Sequence, residues 1–563
     1  MTSFFIAATF YFKSALKKRI VQQKMAQPYT AVFGLTKMSE TLLKNEMSST
    51  HTQYLLIENL TSSLDLEHYL KNGIAVINGD LFESDFLQTL DFQHMEKALI
   101  SLGNDRLNIE AVSAIIKHYQ LAEKKDTALR IIVEIRDRTL NELVFQNLIN
   151  TNLKNKKIEI QPFSFFEACA DQLFQMHDVD ANDYRIIESE VPFSIAVVGD
   201  GLLLREVVYQ IGLLAHLPNK NLLKIHIVDR DASAIKLRLL CQLEGIERVV
   251  NLVTHTLDSD ILEFYTNDLW HQANLTRIIL CDDDEEKNVA IAANLFNKTY
   301  FKQALTQKMT TEVFFAVFNS HSLNDDIASN HQNLKSFQTF GEMNQICTRD
   351  IIINDSQNKI GRLIHYSYGD LYNPQVLQGS SPEKIAEIDS KWFATKDFSD
   401  KFSSVAQAKH IKMKLKALHL GMEENTKLSP EDLLDQNRKL FNNALNVCRK
   451  EIGLEDEMLI DYSQELENFR LKKPFAVKYF PKTPRNLFEK LIYCEHERWN
   501  AFQYMNGWTY ADQKEKSVKE HDCLKPLEAF EKPEHQLTVI YDMYSILYIP
   551  NYLANTGYII NAR

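Results

Sequence analysis

At 563 residues the chain exceeds a single core, because cores stop growing near roughly 250–300 residues, so several domains are expected. It is 45% hydrophobic and 25% charged with no biased tract, which argues against a disordered or fibrous chain. The net charge of −12 argues against nucleic acid as the partner, because phosphate binding needs a basic face.

Residues 3–12 (SFFIAATFYF) are apolar, and Lys13, Lys17, Lys18, Arg19 and Lys24 follow. A run this short cannot span a bilayer, which takes about 20 residues. The order is also wrong for a signal peptide, where positive charge comes first. Residues 1–26 therefore read as a short amphipathic helix. The alternative is a membrane contact through residues 1–24 with the basic side chains at the inner face, or the tail of a spanning helix that begins upstream.

From residue 27, β-rich apolar runs alternate with helical stretches. YTAVF (29–33), QYLLIE (53–58), GIAVING (73–79), KALISL (97–102) and LRIIVEI (129–135) read as strands, with a helix at 105–120 among those between them. The alternation restarts with FSIAVVG (193–199), LLKIHIVD (222–229), RVVNLVT (248–254), RIILC (277–281) and VFFAVF (313–318). Strands wound by helices imply two parallel-sheet α/β lobes, at 27–180 and 190–345. Beyond residue 376 the strand signal fades. Helices are expected at 405–421, 430–452 and 484–505, with a linker at 471–484 (LKKPFAVKYFPKTP). The seven cysteines, at 169, 241, 281, 347, 448, 494 and 523, are scattered without a C-x-x-C, which fits reduced thiols in the cytoplasm.

A dinucleotide fold places Gly-x-Gly-x-x-Gly between its first strand and helix, so that a pyrophosphate reaches the helix N-terminus. The first lobe keeps one glycine, in Gly34-Leu35-Thr36-Lys37-Met38-Ser39, and Glu58 closes its second strand where a ribose-binding acid would stand. The second keeps two, in Gly199-Asp200-Gly201-Leu202-Leu203-Leu204, with Asp229 ending the second strand. Candidate cofactor contacts are Gly34, Thr36, Ser39, Glu58, Asp80, Gly199, Asp200, Gly201, Asp229 and Asp282, and the candidate cofactors are NAD(H) or an adenine nucleotide. The competing reading is a fold kept for scaffolding and dimerisation. The run Asp282–Glu286 fits helix capping better than a divalent-cation site.

The order AVFG…LIE…AVINGD…LISLGNDRLNIEAV…IIVEIRD resembles the regulator-of-potassium-conductance lobe (RCK, TrkA-N-like). Gly79-Asp80 follows the third strand, and Asn104-Asp105 with Asn108 opens the helix after the fourth. IAVVGDG…IHIVDRD…IILCDDDEEKNVAIAANL, with Asp282 to Asn288, repeats the pattern. The resemblance covers 27–345. It implies Rossmann-like, ligand-regulated lobes that pair with each other and bind NAD(H), adenine nucleotides or ions.

Residues 484–510 read PRNLFEKLIYCEHERWNAFQYMNGWTY. His496-Glu497-Arg498-Trp499, Asn506-Gly507-Trp508-Thr509-Tyr510 and His521-Asp522-Cys523-Leu524 resemble the ryanodine-receptor (RyR) domain over 484–563, although Asp522 stands where that family has a proline. SFQTFGEMNQICTRDIIIN with IHYSY (336–368), then SSVAQAKHIKMKLKALHLG (403–421), resembles the connector of bacterial proteins that join TrkA-N-like lobes to one RyR domain, and a helical connector is expected at 346–483. The whole is thus two tandem Rossmann-like parallel-sheet lobes, a helical connector and a small, mainly α C-terminal RyR domain. That family implies a ligand-binding or docking module. His496, Glu497, Arg498, Trp499, Trp508, Tyr510 and His521 are its candidates: the aromatic rings could sandwich a base and Arg498 could meet a phosphate. Alternatively the aromatics form a core, with Glu497 and Arg498 paired. Cys494-x-His496 and His521-x-Cys523 suggest zinc, but residues two apart on a helix point about 200° from each other, so no metal site is expected.

The reading that fits best is a regulatory, nucleotide-sensing protein that signals to an assembled partner and is itself a homo-oligomer. The alternatives are the cytosolic regulatory part of a potassium channel or transport system and an NAD-dependent oxidoreductase. No Ser/His/Asp, H-E-x-x-H or P-loop motif suggests bond chemistry.

Overall fold

A computed structural model describes residues 21–23, 25–47, 53–59, 66–121, 128–141, 158–179, 193–218, 221–272, 274–297, 311–319, 337–369, 381–395, 397–450, 483–484 and 486–563. The apolar segment at 3–12 and nearly all of the expected linker at 471–484 lie outside these residues. Among the described residues no helix is long and apolar enough to cross a membrane.

The first lobe is a six-stranded sheet built from β1 (Tyr29–Phe33), β2 (Tyr54–Glu58), β3 (Ala75–Asn78), β4 (Met95–Ile100), β5 (Leu129–Glu134) and β6 (Ile158–Phe163). Their order is β3-β2-β1-β4-β5-β6, and every pairing is parallel. The second lobe repeats the plan with β7 (Ser194–Val198), β8 (Lys224–Asp229), β9 (Asn251–Thr256), β10 (Leu275–Leu280), β11 (Glu312–Ala316) and β12 (Phe337–Phe340). Read from the opposite edge, its order is β9-β8-β7-β10-β11-β12, again parallel throughout. Both are the doubly wound arrangement whose order reverses between the first and fourth strands. The sixth strand of each sheet is absent from the sequence reading. β6 contains Pro162, a residue that argues against a strand, and β12 is only four residues long with two polar positions, so neither carries a buried-strand signature.

Period-two alternation sends side chains to two different cores. Val32, Leu56, Leu99 and Ile132 of the first sheet share one continuous core with Ile195, Val197, Ile225 and Ile279 of the second. The same core takes in Ile364, Phe441, Ile492 and Tyr552 from the segments that follow. The alternate residues, such as Phe33 and Ile57 in the first sheet, fill a separate outer core. Val198 and Leu280 do so in the second. The two lobes thus pack by their inner faces through a layer of helices rather than as beads on a string.

The lobes also exchange segments. The helix Phe165–Met176 leaves β6 and packs on Leu202–Leu214, the first helix of the second lobe. The short helix Met343–Ile346 leaves β12 and packs on Lys37–Glu46, the first helix of the first lobe. Asn45 donates from Nδ2 to the carbonyls of Asn344 (3.1 Å) and Cys347 (2.9 Å).

The connector differs from expectation. Instead of one helix at 405–421, Phe398–Lys409 and Ile411–Ala417 are separate, with His410 as the joint. His419 then takes a left-handed φ of 56°, which ends the helix and turns the chain into β13 (Leu420–Glu424). Two short strands, β14 (Thr509–Tyr510) and β15 (Glu520–His521), pair in parallel. β13 pairs antiparallel with the terminal strand β16 (Tyr558–Ala562). Such pairing joins segments about 140 residues apart and leaves no local periodicity to read. Likewise the strand expected at 248–254 begins only at Asn251, because Gly245 (φ 71°) opens a 3₁₀ turn at Ile246–Arg248. The long helix Leu487–Met505 lies against both Leu202–Leu214 and that turn. Gly212 permits the approach: a Cβ there would sit 2.8 Å from Met505 Sδ.

Candidate functional site

In the second lobe the glycines create the approach expected of them, but toward the protein's own acids. Gly199 and Gly201 adopt φ of 119° and 115°, a region that side chains avoid. A Cβ on Gly201 would lie 2.4 Å from the Asp283 carboxylate. That carboxylate accepts from the backbone N–H of Leu202 (2.9 Å) and of Leu203 (2.8 Å), the first amides of helix Leu202–Leu214. Asp283 therefore stands where a pyrophosphate would sit, as an internal anion on the helix N-terminus. Burial pushes its carboxyl up, and the two amides oppose this.

Its neighbours complete an ionic cluster. Asp282 meets Lys287 at 2.6 Å, and the same ammonium reaches Asp229 at 3.5 Å. Burial works against the Lys287 charge, yet these two acids hold it above its ordinary range. Asp200 pairs with Arg238 at 2.6 Å, and its backbone N–H donates to Asp282 Oδ2 at 3.2 Å. Gly199, Asp200, Gly201, Asp229 and Asp282 are thus gathered at one strand-end crevice. Asp283, the residue at its centre, was read from sequence only as part of a cap. It does cap a helix, but Leu202–Leu214, some 80 residues away.

The first lobe solves the same problem differently. Glu58 accepts from the Leu35 N–H at 2.5 Å. Thr36 and Ser39 close a capping box: Ser39 Oγ takes the Thr36 N–H at 2.9 Å, and Thr36 Oγ1 takes the Ser39 N–H at 3.4 Å. Gly34 (φ 91°) lies so close to the next loop that a Cβ would clash with the Ser101 carbonyl. Asp80 accepts from the Phe82 N–H (2.8 Å) in its own loop and from Nδ2 of Asn59 (3.4 Å), the residue after Glu58. Asn108 and Asn288 play matching parts. Asn108 bridges the Leu102 N–H (2.7 Å) and the Glu134 carbonyl (2.8 Å); Asn288 bridges the Asp282 N–H (2.9 Å) and the Asp282 carbonyl (2.8 Å).

The strand ends of the first lobe reach the second through buried charge. Arg138, just past β5, donates to Glu206 Oε2 from Nε (3.2 Å) and Nη2 (3.0 Å), and pairs with Glu167 at 3.0 Å. Its guanidinium lies 3.7 Å from the Tyr209 ring centroid. Arg205 pairs with Asp137 (2.7 Å) and with Glu206 (3.0 Å). Lys409 of the connector joins through Asp171 at 2.7 Å. Arg205 and Glu206 are 2% and 1% exposed, so each charge depends on its partners.

The C-terminal candidates separate. Arg498 is buried and bonded to Glu495 from Nε (3.1 Å) and Nη2 (2.9 Å), and Lys414 meets the same carboxylate at 2.6 Å. The expected Glu497–Arg498 pair is replaced by this triad, and although Arg498 Nη1 has no hydrogen-bond partner, burial closes it to a phosphate from solvent. Consecutive residues on a helix diverge, whereas residues three apart share a face. The ring of His521 meets Trp499 at 5.0 Å and Trp508 at 6.3 Å, filling the space that a sandwiched base would need. Tyr510 is exposed, with its hydroxyl on Asp512 (3.1 Å). His496 is buried between Asp542 (3.1 Å) and the Lys525 carbonyl (2.8 Å). The ligand atoms of His521, Asp522 and Cys523 lie within 4.8 Å of one another, and Asp522 also takes His535 at 2.9 Å. Glu497 lines a cleft that faces the second lobe.

Residues 30–151 match the TrkA-N domain family. The match falls on the first lobe, and the second lobe repeats that lobe's strand order. No curated protein matches the chain. Among solved structures, the human SLO3 gating ring is 10% identical with a TM-score of 0.40, covering 75% of this chain and 92% of that one. GsuK bound to ADP is 11% identical with a TM-score of 0.35, covering 57% and 67%. The GsuK channel bound to NAD is 10% identical with a TM-score of 0.36, covering 58% and 64%.

Proposed function

We propose that the chain is a regulatory protein that binds a nucleotide, NAD(H) or an adenine nucleotide, and passes the event to an assembled partner. One observation carries this reading. The strand ends of the first lobe, where doubly wound sheets bind ligands, continue directly into the buried ion network on the first helix of the second lobe. A ligand that moves the loop after β5 must move Asp137 and Arg138, and with them Arg205 and Glu206. The match to the TrkA-N family supports the same reading. The C-terminal segment, with its resemblance to the RyR domain, supplies the face through which the signal leaves the lobes.

In the second lobe, occupancy of the pyrophosphate position requires Asp283 to withdraw, since one helix N-terminus does not hold two anions. Nucleotide in the ordinary pose is therefore assigned to the first lobe, with Glu58 released from Leu35 to meet the ribose. The test is calorimetric titration of the full chain with NAD⁺, NADH, ATP, ADP and AMP. Saturable binding of at least one is expected, and binding of none overturns the proposal. Steady consumption of NADH with a carbonyl substrate would instead favour an oxidoreductase.

A further inference from the structure

The end of β15 turns back on itself beside the helix Pro533–Leu547. The Leu524 N–H reaches the His521 carbonyl at 3.4 Å, and inside that turn the Cys523 N–H donates to His521 Nδ1 at 3.1 Å. The turn folds three consecutive side chains together, so that the ligand atoms of His521, Asp522 and Cys523 lie within 4.8 Å of one another.

One contact in this group is informative. His521 Nδ1 stands 3.3 Å from Asp522 Oδ1. Because Nδ1 accepts the Cys523 N–H, it carries a lone pair and not a proton. A lone pair thus faces a carboxylate oxygen with no hydrogen between them, a repulsion that a cation relieves. The separation also suits one: nitrogen and oxygen ligands at about 2.0–2.1 Å from a tetrahedral centre stand about 3.3 Å apart. The other carboxylate oxygen is already oriented, since His535 Nε2 donates to Asp522 Oδ2 at 2.9 Å. Ligating carboxylates are commonly held by such an outer hydrogen bond. Cys523 offers the third donor. Its Sγ lies 3.8 Å from Thr538 Oγ1. A closing movement of about 1 Å brings the sulfur to the roughly 3.6 Å spacing that a 2.3 Å metal–sulfur bond implies.

We infer that His521, Asp522 and Cys523 form a binding site for a divalent ion of the zinc class, with His535 positioning the carboxylate. Nitrogen, oxygen and sulfur together select zinc or its softer neighbours, whereas magnesium and calcium take oxygen. On binding, the Cys523 thiol gives its proton to solvent and the ion takes over the lone pair that the Cys523 N–H now holds. Three protein ligands leave a fourth position for water. His496 takes no part, because it is held between Asp542 and the Lys525 carbonyl. Through His535 the ion ties the end of β15 to the helix Pro533–Leu547. The site does not depend on the nucleotide-sensing reading, and either can fail without the other.

The test uses the full chain, stripped of metal by a chelator and titrated with zinc and, as a spectroscopic probe, with cobalt. Excess magnesium is present to occupy carboxylates elsewhere. One equivalent of either ion is expected to bind, and the cobalt form should show a thiolate-to-metal charge-transfer band in the near ultraviolet. Cys523→Ser should abolish that band and weaken zinc at least tenfold, and His521→Gln should weaken zinc at least tenfold. His535→Gln, which keeps a donor for Asp522, should retain zinc affinity within about threefold, whereas His535→Leu should not. Cys241→Ser, at an exposed cysteine of the second lobe, should change nothing. Absence of zinc binding, absence of the band from the unmodified chain, or binding that survives both Cys523→Ser and His521→Gln overturns the site. Should these variants fail to fold by circular dichroism, alkylation of the unmodified chain decides: zinc should slow modification of Cys523 at least tenfold relative to Cys241, and equal rates with and without zinc overturn the site.

Discussion

Replacing Glu495 by Gln should be among the most damaging single changes in the C-terminal part of the molecule. Glu495 is 1% exposed and stands between Arg498, also 1% exposed, and Lys414, fully buried on the connector. Burial alone would push its carboxyl up, but Arg498 and Lys414 overcome this and hold it down to about 2, from an ordinary 4.5. Roughly 2.5 pH units at 1.36 kcal/mol each is about 3 kcal/mol of stability. The same figure follows from breaking a buried pair by removing one partner, about 3–5 kcal/mol. Because the folded value lies below the unfolded one, this contribution is complete above pH 4.5 and drains away as pH falls toward 2. The substitution also leaves Lys414 without its counter-charge, while burial already lowers the Lys414 ammonium. The penalty of Glu495→Gln should therefore shrink as pH rises from 7 to 9, since Lys414 can shed a proton and Arg498 cannot. Urea unfolding followed by tryptophan emission reads the change, because Trp499 and Trp508 sit in the same unit. A loss below 1 kcal/mol at pH 7 would refute the reasoning, and so would a penalty that grows with pH.

Glu206→Gln should cost about 3 kcal/mol or more, because Arg138 and Arg205 lose their shared carboxylate at the joint between lobes. Limited proteolysis should then cut the joint region faster; an unchanged pattern and midpoint would contradict its role. Gly201→Ala should destabilise by about 1–3 kcal/mol, through its positive φ and through displacement of Asp283 from the helix amides. Asp283→Ala should cost only about 1 kcal/mol, as for other lost caps, and should open the second lobe to inorganic phosphate, visible as a thermal shift with phosphate that the unmodified chain lacks. Burial works against the charged form of His496, but Asp542 and the Lys525 carbonyl raise its imidazole above the ordinary range. Its contribution is thus fully present below pH 6.5 and lost as pH rises through the folded value. Asp542→Asn should flatten this fall, and a pH–stability profile identical to the unmodified chain would contradict the assignment.

Much of the fold was legible because it rests on local pattern. Runs such as YTAVF and SIAVVG are short and apolar with glycine behind them, and each became a first strand with a positive-φ glycine at its end. What the sequence hid depends on distance. β13 and β16 are recognisable only through each other, and His419 sits in a left-handed turn that its residue type does not announce. The candidate site was legible in part. Glycines at 34, 199 and 201 told where the backbone would be approached, but not that the approaching group would be the protein's own Ser101 or Asp283. The C-terminal motif pointed to His496, Glu497, Arg498, Trp499, Trp508, Tyr510 and His521 as ligand contacts. Yet helix geometry turns Arg498 inward to Glu495 and leaves Glu497 on the cleft that faces the second lobe.

Hydrogen exchange on the full chain, with and without saturating AMP or NAD⁺, tests most directly whether the lobes act as one ligand-responsive unit. Slower exchange is expected in residues 128–141 and in the helix Leu202–Leu214, the two sides of the Arg138–Glu206 joint, when nucleotide is present. Exchange that stays unchanged on both sides of the joint while nucleotide is demonstrably bound would contradict it.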